Sequence, residues 1–385
     1  MLALFNSLNL YLCRSISGLG VQILVKLLGN PRLWSGIKEA VNRGVFTLIF
    51  IASTRVSTIP GISIAGSSPE ATLLTPTLDV EYLLLGRPRS LDAIPVTPEG
   101  VPTPALISRA VYRAKGFPLL IVDAGSYREP KIPHIALPSR RVGGRIDIED
   151  ALPKRTAEAL FEEAKVLASS LSPAAEVFFV GESMPGGTTT AMTIMEALGF
   201  RARGRVSSAA PRNPHQLKEK VLLDAFKRAR AEPPIEDPIE AVANFGDPLH
   251  ISLAGFAAGA LERGRYVILS GGTQMCAVLA ILRRMGYLFR DRLAVATTQW
   301  LVEDSSSDFI GLVGEVAPGV GVAIAELSFS DAPYIGLRAY EEGYVKEGVG
   351  AGGLAALYVL TGGNEEKLKH AIYREYEELM GHGSA

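Results

Sequence analysis

Gly181-Glu182-Ser183-Met184-Pro185-Gly186-Gly187-Thr188-Thr189-Thr190 stands between an apolar run, Ala174 to Val180, and a segment in which Met192, Met195 and Leu198 recur at helical spacing. It reads as the passage from a buried strand into a helix. Gly186 and Gly187 let backbone approach a ligand closely. Thr188 and Thr189 set hydroxyls beside the unpaired amides of a helix N-terminus, a combination that suits a phosphate. The same residues also suit a plain tight turn with a threonine N-cap, and both readings stay open at this level. A second turn of the same kind, Ser270-Gly271-Gly272-Thr273-Gln274, follows the apolar run from Tyr266 and precedes another helical segment. In an open parallel sheet both turns fall at the carboxyl edge of the strands, so they are expected to share one crevice.

Further strands are predicted at Val45 to Ala52, Pro118 to Asp123, Leu293 to Thr297 and Val322 to Leu327. Helices are predicted at Pro153 to Ser170, His215 to Ala231, Ser252 to Arg263, Gln274 to Met285, Ala351 to Leu360 and Glu365 to Met380. Near-continuous apolar strands alternating with helices imply an α/β fold with three layers and a mostly parallel, doubly wound sheet. A small helical subdomain built from the two chain ends is expected beside it. The boundaries expected are residues 1–44 for an N-terminal helical extension, 45–362 for the α/β domain, and 363–385 for a C-terminal helix and tail. Within the extension, Leu19 to Gly29 reads as an amphipathic helix. Ser57 to Pro104, dense in proline, glycine and threonine, reads as an ordered loop that wraps the domain.

The chain has 385 residues, 48% hydrophobic and 21% charged, with 39 basic against 40 acidic side chains and a net charge of -1. This composition is globular, and nothing in its balance calls for a nucleic-acid or membrane partner. Two cysteines, Cys13 and Cys276, and five scattered histidines offer no metal-ligand spacing and no disulfide framework. No metal or cofactor is expected, and a reducing, cytoplasmic setting is. Cys276, in an apolar run, reads as an inert buried thiol. Met1 to Lys38 lacks acidic residues but also lacks an apolar run long enough to span a bilayer. A dinucleotide oxidoreductase is disfavoured, because neither glycine turn matches G-x-G-x-x-G with an acid about 20 residues later.

A third concentration of signal is Gly343-Tyr344-Val345-Lys346-Glu347-Gly348-Val349-Gly350-Ala351-Gly352-Gly353, where a carboxylate precedes a glycine-rich turn and a helix. Partly desolvated by close backbone, Glu347 suits proton abstraction near neutral pH. It equally suits a helix-start acid that only meets the dipole.

The order of these motifs, with Ser57-Thr58-Ile59-Pro60-Gly61, Leu74-Thr75-Pro76, Ser207-Ser208 and Asn213-Pro214, resembles the nicotinate-nucleotide:dimethylbenzimidazole phosphoribosyltransferase family, most closely its archaeal branch. The resemblance runs from about Val45 to Leu360. It implies transfer of the phosphoribosyl group of nicotinate mononucleotide to a benzimidazole-type base, with release of nicotinate, and a homodimer. It implies that Glu347 is the general base and that Gly186, Gly187, Thr188 and Thr189, helped by Gly271, Gly272 and Thr273, hold the 5′-phosphate. Glu182 becomes a second acid at the site, and it, Gly348 and Gly350 are counted with the residues that bind the substrate. Lys346 is expected either to bind phosphate or to lower the pKa of Glu347, unless it faces solvent. The partners implied are small molecules, the nucleotide and an azole. Ser53-Thr54-Arg55 replaces an Asp-His-Gly segment of the bacterial branch, and Thr297-Thr298-Gln299-Trp300 replaces a segment rich in Ser-His-Arg. These departures leave the acceptor open to adenine or another azole. The rival readings are a non-catalytic nucleotide-binding regulator and a nucleosidase that uses water.

Overall fold

A computed structural model of the chain describes residues 10–17, 20–91, 96–97 and 100–381, with side chains from Val25 onward. Its strands are β1 Leu10–Ser17, β2 Gly20–Leu28, β3 Val45–Ala52, β4 Leu119–Gly125, β5 Ile135–Ala136, β6 Val177–Ser183, β7 Tyr266–Ser270, β8 Leu293–Thr298 and β9 Gly321–Ala325. Its helices are α1 Pro31–Val41, α2 Thr75–Leu85, α3 Ala105–Lys115, α4 Lys154–Leu171, α5 Gly187–Ala197, α6 His215–Ala229, α7 Pro238–Phe245, α8 Pro248–Glu262, α9 Gln274–Arg284, α10 Gln299–Val302, α11 Phe309–Val316, α12 Ile335–Arg338, α13 Ala351–Leu360 and α14 Glu365–Met380.

The strands form one sheet in the order β1-β2-β9-β8-β7-β6-β3-β4-β5. From β9 to β5 all are parallel, while β1 and β2 are antiparallel. Successive side chains of β6 point to opposite faces: Phe178 and Val180 pack under α4, α5, α8 and α9, and Val177 and Phe179 pack under α1, α3 and α13. Both faces are thus covered, which is why these strands read as unbroken apolar runs and why the fold is a three-layer α/β sandwich. From β3 the chain steps through β4 to β5. It then returns to the other side of β3 and lays down β6 to β9 in succession. This reversal between β3 and β6 leaves a crevice beyond their carboxyl ends.

Two expectations fail. The helix expected over Leu19 to Gly29 begins at a residue outside those described, and its described part is not helical: Gly20–Leu28 is strand β2, paired with β1 and with β9, the latter from Val25↔Ala325 to Leu28↔Val322. Val25 and Leu27 are fully buried and Lys26 between them pairs with Glu326, a period of two that β-branched residues favour. The unpaired edge of β9 supplied the partner that the segment needed. The N-terminal extension is therefore a hairpin followed by α1, which lies in the same layer as α14. The proline-rich stretch from Ser57 to Pro104 is not all loop either, since it contains α2. Pro76 occupies the first turn of α2, where a missing amide costs nothing, and Gly86 closes the helix with φ 79°. No proline falls between Pro76 and Pro88 to interrupt it. Cys276 is fully buried in α9. Among the described residues no helix is long and apolar enough to cross a membrane.

Candidate active site

Beyond the carboxyl ends of β3 and β6 lies a cavity of about 310 Å³ that Glu182, Gly186, Gly187, Thr188, Gly272, Thr273, Lys346, Glu347 and Gly348 all help to line. Thr189, Gly271 and Gly350 stand behind it. The two glycine turns meet directly, because a Cβ on Gly187 would overlap Oε1 of Gln274 at the start of α9. Gly186, with φ 80°, presses against Ser57 from the end of β3, at the switch point itself.

Gly186 is also the N-cap of α5, and no side chain caps that helix. The threonine N-cap is therefore absent, and Thr188 and Thr189 lie inside the first turn. Gly187 N donates to Met184 O at 3.2 Å and Thr189 N to Gly186 O at 3.0 Å, which leaves the Thr188 amide and the helix dipole to meet an anion. Lys218 stands behind them. Its side chain is fully buried, and Nζ donates to Thr188 Oγ1 at 2.9 Å and to Ser207 O. Burial, reinforced by repulsion from Lys346, pushes its pKa down to about 7, with Asp304 opposing. Sequence reading overlooked this residue, yet the signal was present: Lys218, Val221, Leu222 and Ala225 form the buried stripe of α6, and a lysine in that stripe is out of place.

Glu347 sits at the opposite wall, its Cβ 3.7 Å from where a Cβ on Gly272 would stand. One carboxylate oxygen accepts from the amides of Gly348 and Gly352, each at 3.1 Å, and the other from Thr298 N at 3.0 Å and Thr297 Oγ1 at 3.2 Å. The Gly352 bond makes Glu347 an acceptor at the N-terminus of α13. Burial raises its pKa to about 7 against the pull of these donors. The loop that carries it is strained, because Val345 and Val349 hold φ of 40° and 53°, a region costing β-branched residues about 1–3 kcal/mol each. It is pinned from both sides. Val349 N donates to Glu182 O at 2.7 Å, Ser108 Oγ donates to Val349 O at 2.8 Å, and Val345 N donates to Ala209 O at 2.8 Å. Gly350 packs backbone to backbone on Gly181, where a Cβ on Gly181 would lie 2.8 Å from the Gly350 Cα. Its part is close approach of the loop to β6.

Lys346 neither faces solvent nor touches Glu347. Its Nζ donates to Ala210 O at 2.8 Å and Gly343 O at 2.9 Å and pairs with Asp304 at 3.3 Å. Asp304 also accepts from Ser207 Oγ and Asn213 Nδ2, which ties the Ser207-Ser208 and Asn213-Pro214 motifs into the same network. Thr273 joins it by accepting from Ser207 N at 3.0 Å.

Glu182 is 3% exposed, and among the described residues its Oε2 has no hydrogen-bond partner. Burial first, then the Glu347 charge, raises its pKa to about 8, with the Gln274 amide pulling the other way. Two buried carboxyls raised together in this way favour retention of a proton by the pair near neutral pH. A carboxyl raised in this way binds an extra proton in the folded state between its ordinary value of 4.5 and about 8, so its contribution to stability falls as pH rises through that window. Glutamine at this position removes the titration. The melting temperature of Glu182→Gln minus that of the parent is expected to grow as thermal scans move from about pH 5 to pH 8.5. A gap that does not change with pH would show that Glu182 ionises at its ordinary value.

Comparison with known proteins agrees with this architecture. The sequence profile of a family described as phosphoribosyltransferase matches residues 107–299. A protein of Aeropyrum pernix, named UPF0284 protein, is 53% identical over 345 residues, 90% of this chain and 95% of that one. A UPF0284 protein of Pyrobaculum calidifontis is 48% identical over 332 residues, 86% of this chain and 95% of that one. The crystal structure of nicotinate-nucleotide-dimethylbenzimidazole phosphoribosyltransferase from Thermus thermophilus superposes with a TM-score of 0.59 at 18% identity, covering 92% of this chain and 91% of that one, a likeness of fold. With about half its length matched by the profile, the chain belongs to the nicotinate-nucleotide:dimethylbenzimidazole phosphoribosyltransferase family and is a pentosyltransferase.

Proposed function

We propose that the enzyme transfers the phosphoribosyl group of nicotinate mononucleotide to a ring nitrogen of a benzimidazole-type base, giving α-ribazole phosphate and nicotinate, the activation of a cobamide lower ligand. The observation that carries this reading is one cavity bounded by an uncapped helix N-terminus with a buried lysine on one side and a buried acid, Glu347, on the other.

The amide of Thr188, with the Lys218 charge relayed through the Thr188 hydroxyl, holds the 5′-phosphate. The C1′–N bond to the pyridinium breaks, and its electron pair neutralises the ring nitrogen, so the leaving group needs no acid. The lone pair of the azole nitrogen forms the new bond from the opposite face, which inverts the anomeric centre. The proton left on the azole passes to Glu347. Alignment and proton removal are then the main tasks, and a rigid cavity with a base poised near neutrality serves both.

A second reading has an observation of its own: four donors surround the Glu347 carboxylate, as for an acid that only anchors a helix. On that view the protein binds a nucleotide without turnover. Incubation of the protein with nicotinate mononucleotide and a panel of azoles, followed by mass spectrometry, separates the readings. Ribotide and nicotinate in equal amounts are expected. Binding without nicotinate release would establish the second reading, and nicotinate released without any azole would mark a nucleosidase.

A further inference from the structure

Phosphate and base must lie on different sides of the sheet. The helices that follow and flank the phosphate turn, α5, α6 and α9, pack into the core built on Phe178, Val180 and Leu269. Glu347 leads into α13, which packs with α2 and α3 on the other core, beside Ile49 and Phe179. A ribotide held by its phosphate at Gly186 to Thr188, with its anomeric carbon at Glu347, therefore directs the incoming base toward α2 and α3.

The wall there is contributed by described residues of the stretch that runs from Ile62 to Leu91 and from Val101 to Pro104. Ile62, Leu74, Leu78, Val101 and Pro104 give it an apolar surface suited to a flat ring. Among the described residues of that wall one ionisable side chain reaches the cavity, Asp79 of α2. Asp79 is 4% exposed, accepts from Thr103 Oγ1 at one oxygen and from Ser183 Oγ at the other, both at 2.7 Å, and has no lysine or arginine partner among the described residues. Two neutral hydroxyls leave about half the acceptor capacity of a carboxylate unused. Next to Ser183, Oε2 of Glu182 is buried without a partner among the described residues. A ring edge that carries only methyl groups, pressed against the Asp79 carboxylate, strips its water and returns nothing, whereas an exocyclic N–H or O–H donor satisfies it.

Resting on the phosphoribosyl-transfer reading above, we propose that Asp79 sets the acceptor: a planar nitrogen heterocycle bearing an amino or hydroxyl donor, in preference to 5,6-dimethylbenzimidazole. Asp79 is a specificity-determining residue that touches the base. Burial raises its pKa to about 6, against the pull of the Ser183 and Thr103 hydroxyls, so it remains an anionic acceptor above neutral pH.

The test uses the full-length enzyme with saturating nicotinate mononucleotide and four acceptors: adenine, 5-hydroxybenzimidazole, benzimidazole and 5,6-dimethylbenzimidazole. The parent is expected to show a higher kcat/KM for at least one of the first two than for the last. In Asp79→Leu that ratio is expected to fall about tenfold or more, the loss of one hydrogen bond to a charged acceptor, with Asp79→Asn intermediate. Asp79→Asn alone carries the test if the leucine variant does not fold. A parent preference for 5,6-dimethylbenzimidazole overturns the proposal. So does an equal loss with all four acceptors, or a change confined to KM for nicotinate mononucleotide, which would assign Asp79 to the ribose. If no azole yields ribotide, the transfer reading falls, and calorimetric affinities for the same four azoles still decide the role of Asp79.

Discussion

Replacing Glu347 by glutamine is expected to lower kcat for azole-dependent nicotinate release by about 10²- to 10⁴-fold, the usual contribution of a positioned general base. Affinity for nicotinate mononucleotide should stay within about threefold if, as proposed, the phosphate is held by the start of α5 with Lys218 behind it. The variant also carries a structural cost. Both oxygens of Glu347 face donors, Gly348 and Gly352 on one side and Thr297 and Thr298 on the other, so the amide group of glutamine must oppose a backbone N–H whichever way it turns. An unsatisfied buried donor costs about 1–3 kcal/mol, and thermal denaturation should register it. The pH profile separates the two effects. With a base whose pKa lies at about 7, kcat/KM of the parent falls as pH drops below that value, and the residual activity of Glu347→Gln loses this limb. A variant that is destabilised yet keeps the parent's rate and pH profile would make Glu347 a helix anchor only.

Lys218→Met is expected to weaken nicotinate mononucleotide binding by about 10- to 100-fold, the value of a hydrogen bond to a charged group in a site screened from water. Methionine replaces the aliphatic stem within the stripe of Val221, Leu222 and Ala225, so α6 should still pack. Removing a fully buried ammonium whose pKa is already pushed to about 7 relieves a desolvation penalty, and the unliganded variant should be no less stable than the parent. The dephosphorylated nucleoside is the control. Calorimetry should find its affinity the same in both proteins if Lys218 acts, as proposed, on the phosphate. An equal loss for nucleoside and nucleotide would show that Lys218 supports the shape of the pocket instead.

The local half of this protein is written in short windows of its sequence. Val45 to Ala52 and Tyr266 to Ser270 are strands at the boundaries expected, because an unbroken β-branched and apolar run can be buried only between two helical layers. Both Gly-Gly-Thr turns and Glu347 were identifiable for a similar reason: glycine pairs at strand ends and an acid before a glycine-rich helix start are patterns set within about ten residues by backbone sterics and helix-end chemistry. The remainder depended on residues far apart in the chain. Gly20–Leu28 is a strand because β9, some 300 residues later, offers it an edge. Lys218 left the solvent-facing role of an ordinary helical lysine because Thr188 and Ser207 surround it, and Lys346 turned from Glu347 to Asp304, 42 positions earlier. Asp79 met Ser183 only after β6 had been laid beside β3. Strand or helix type answers to neighbours along the chain; burial, charge pairing and the sharing of one cavity answer to neighbours in space, and those exist only once the sheet has closed its order around the switch between β3 and β6.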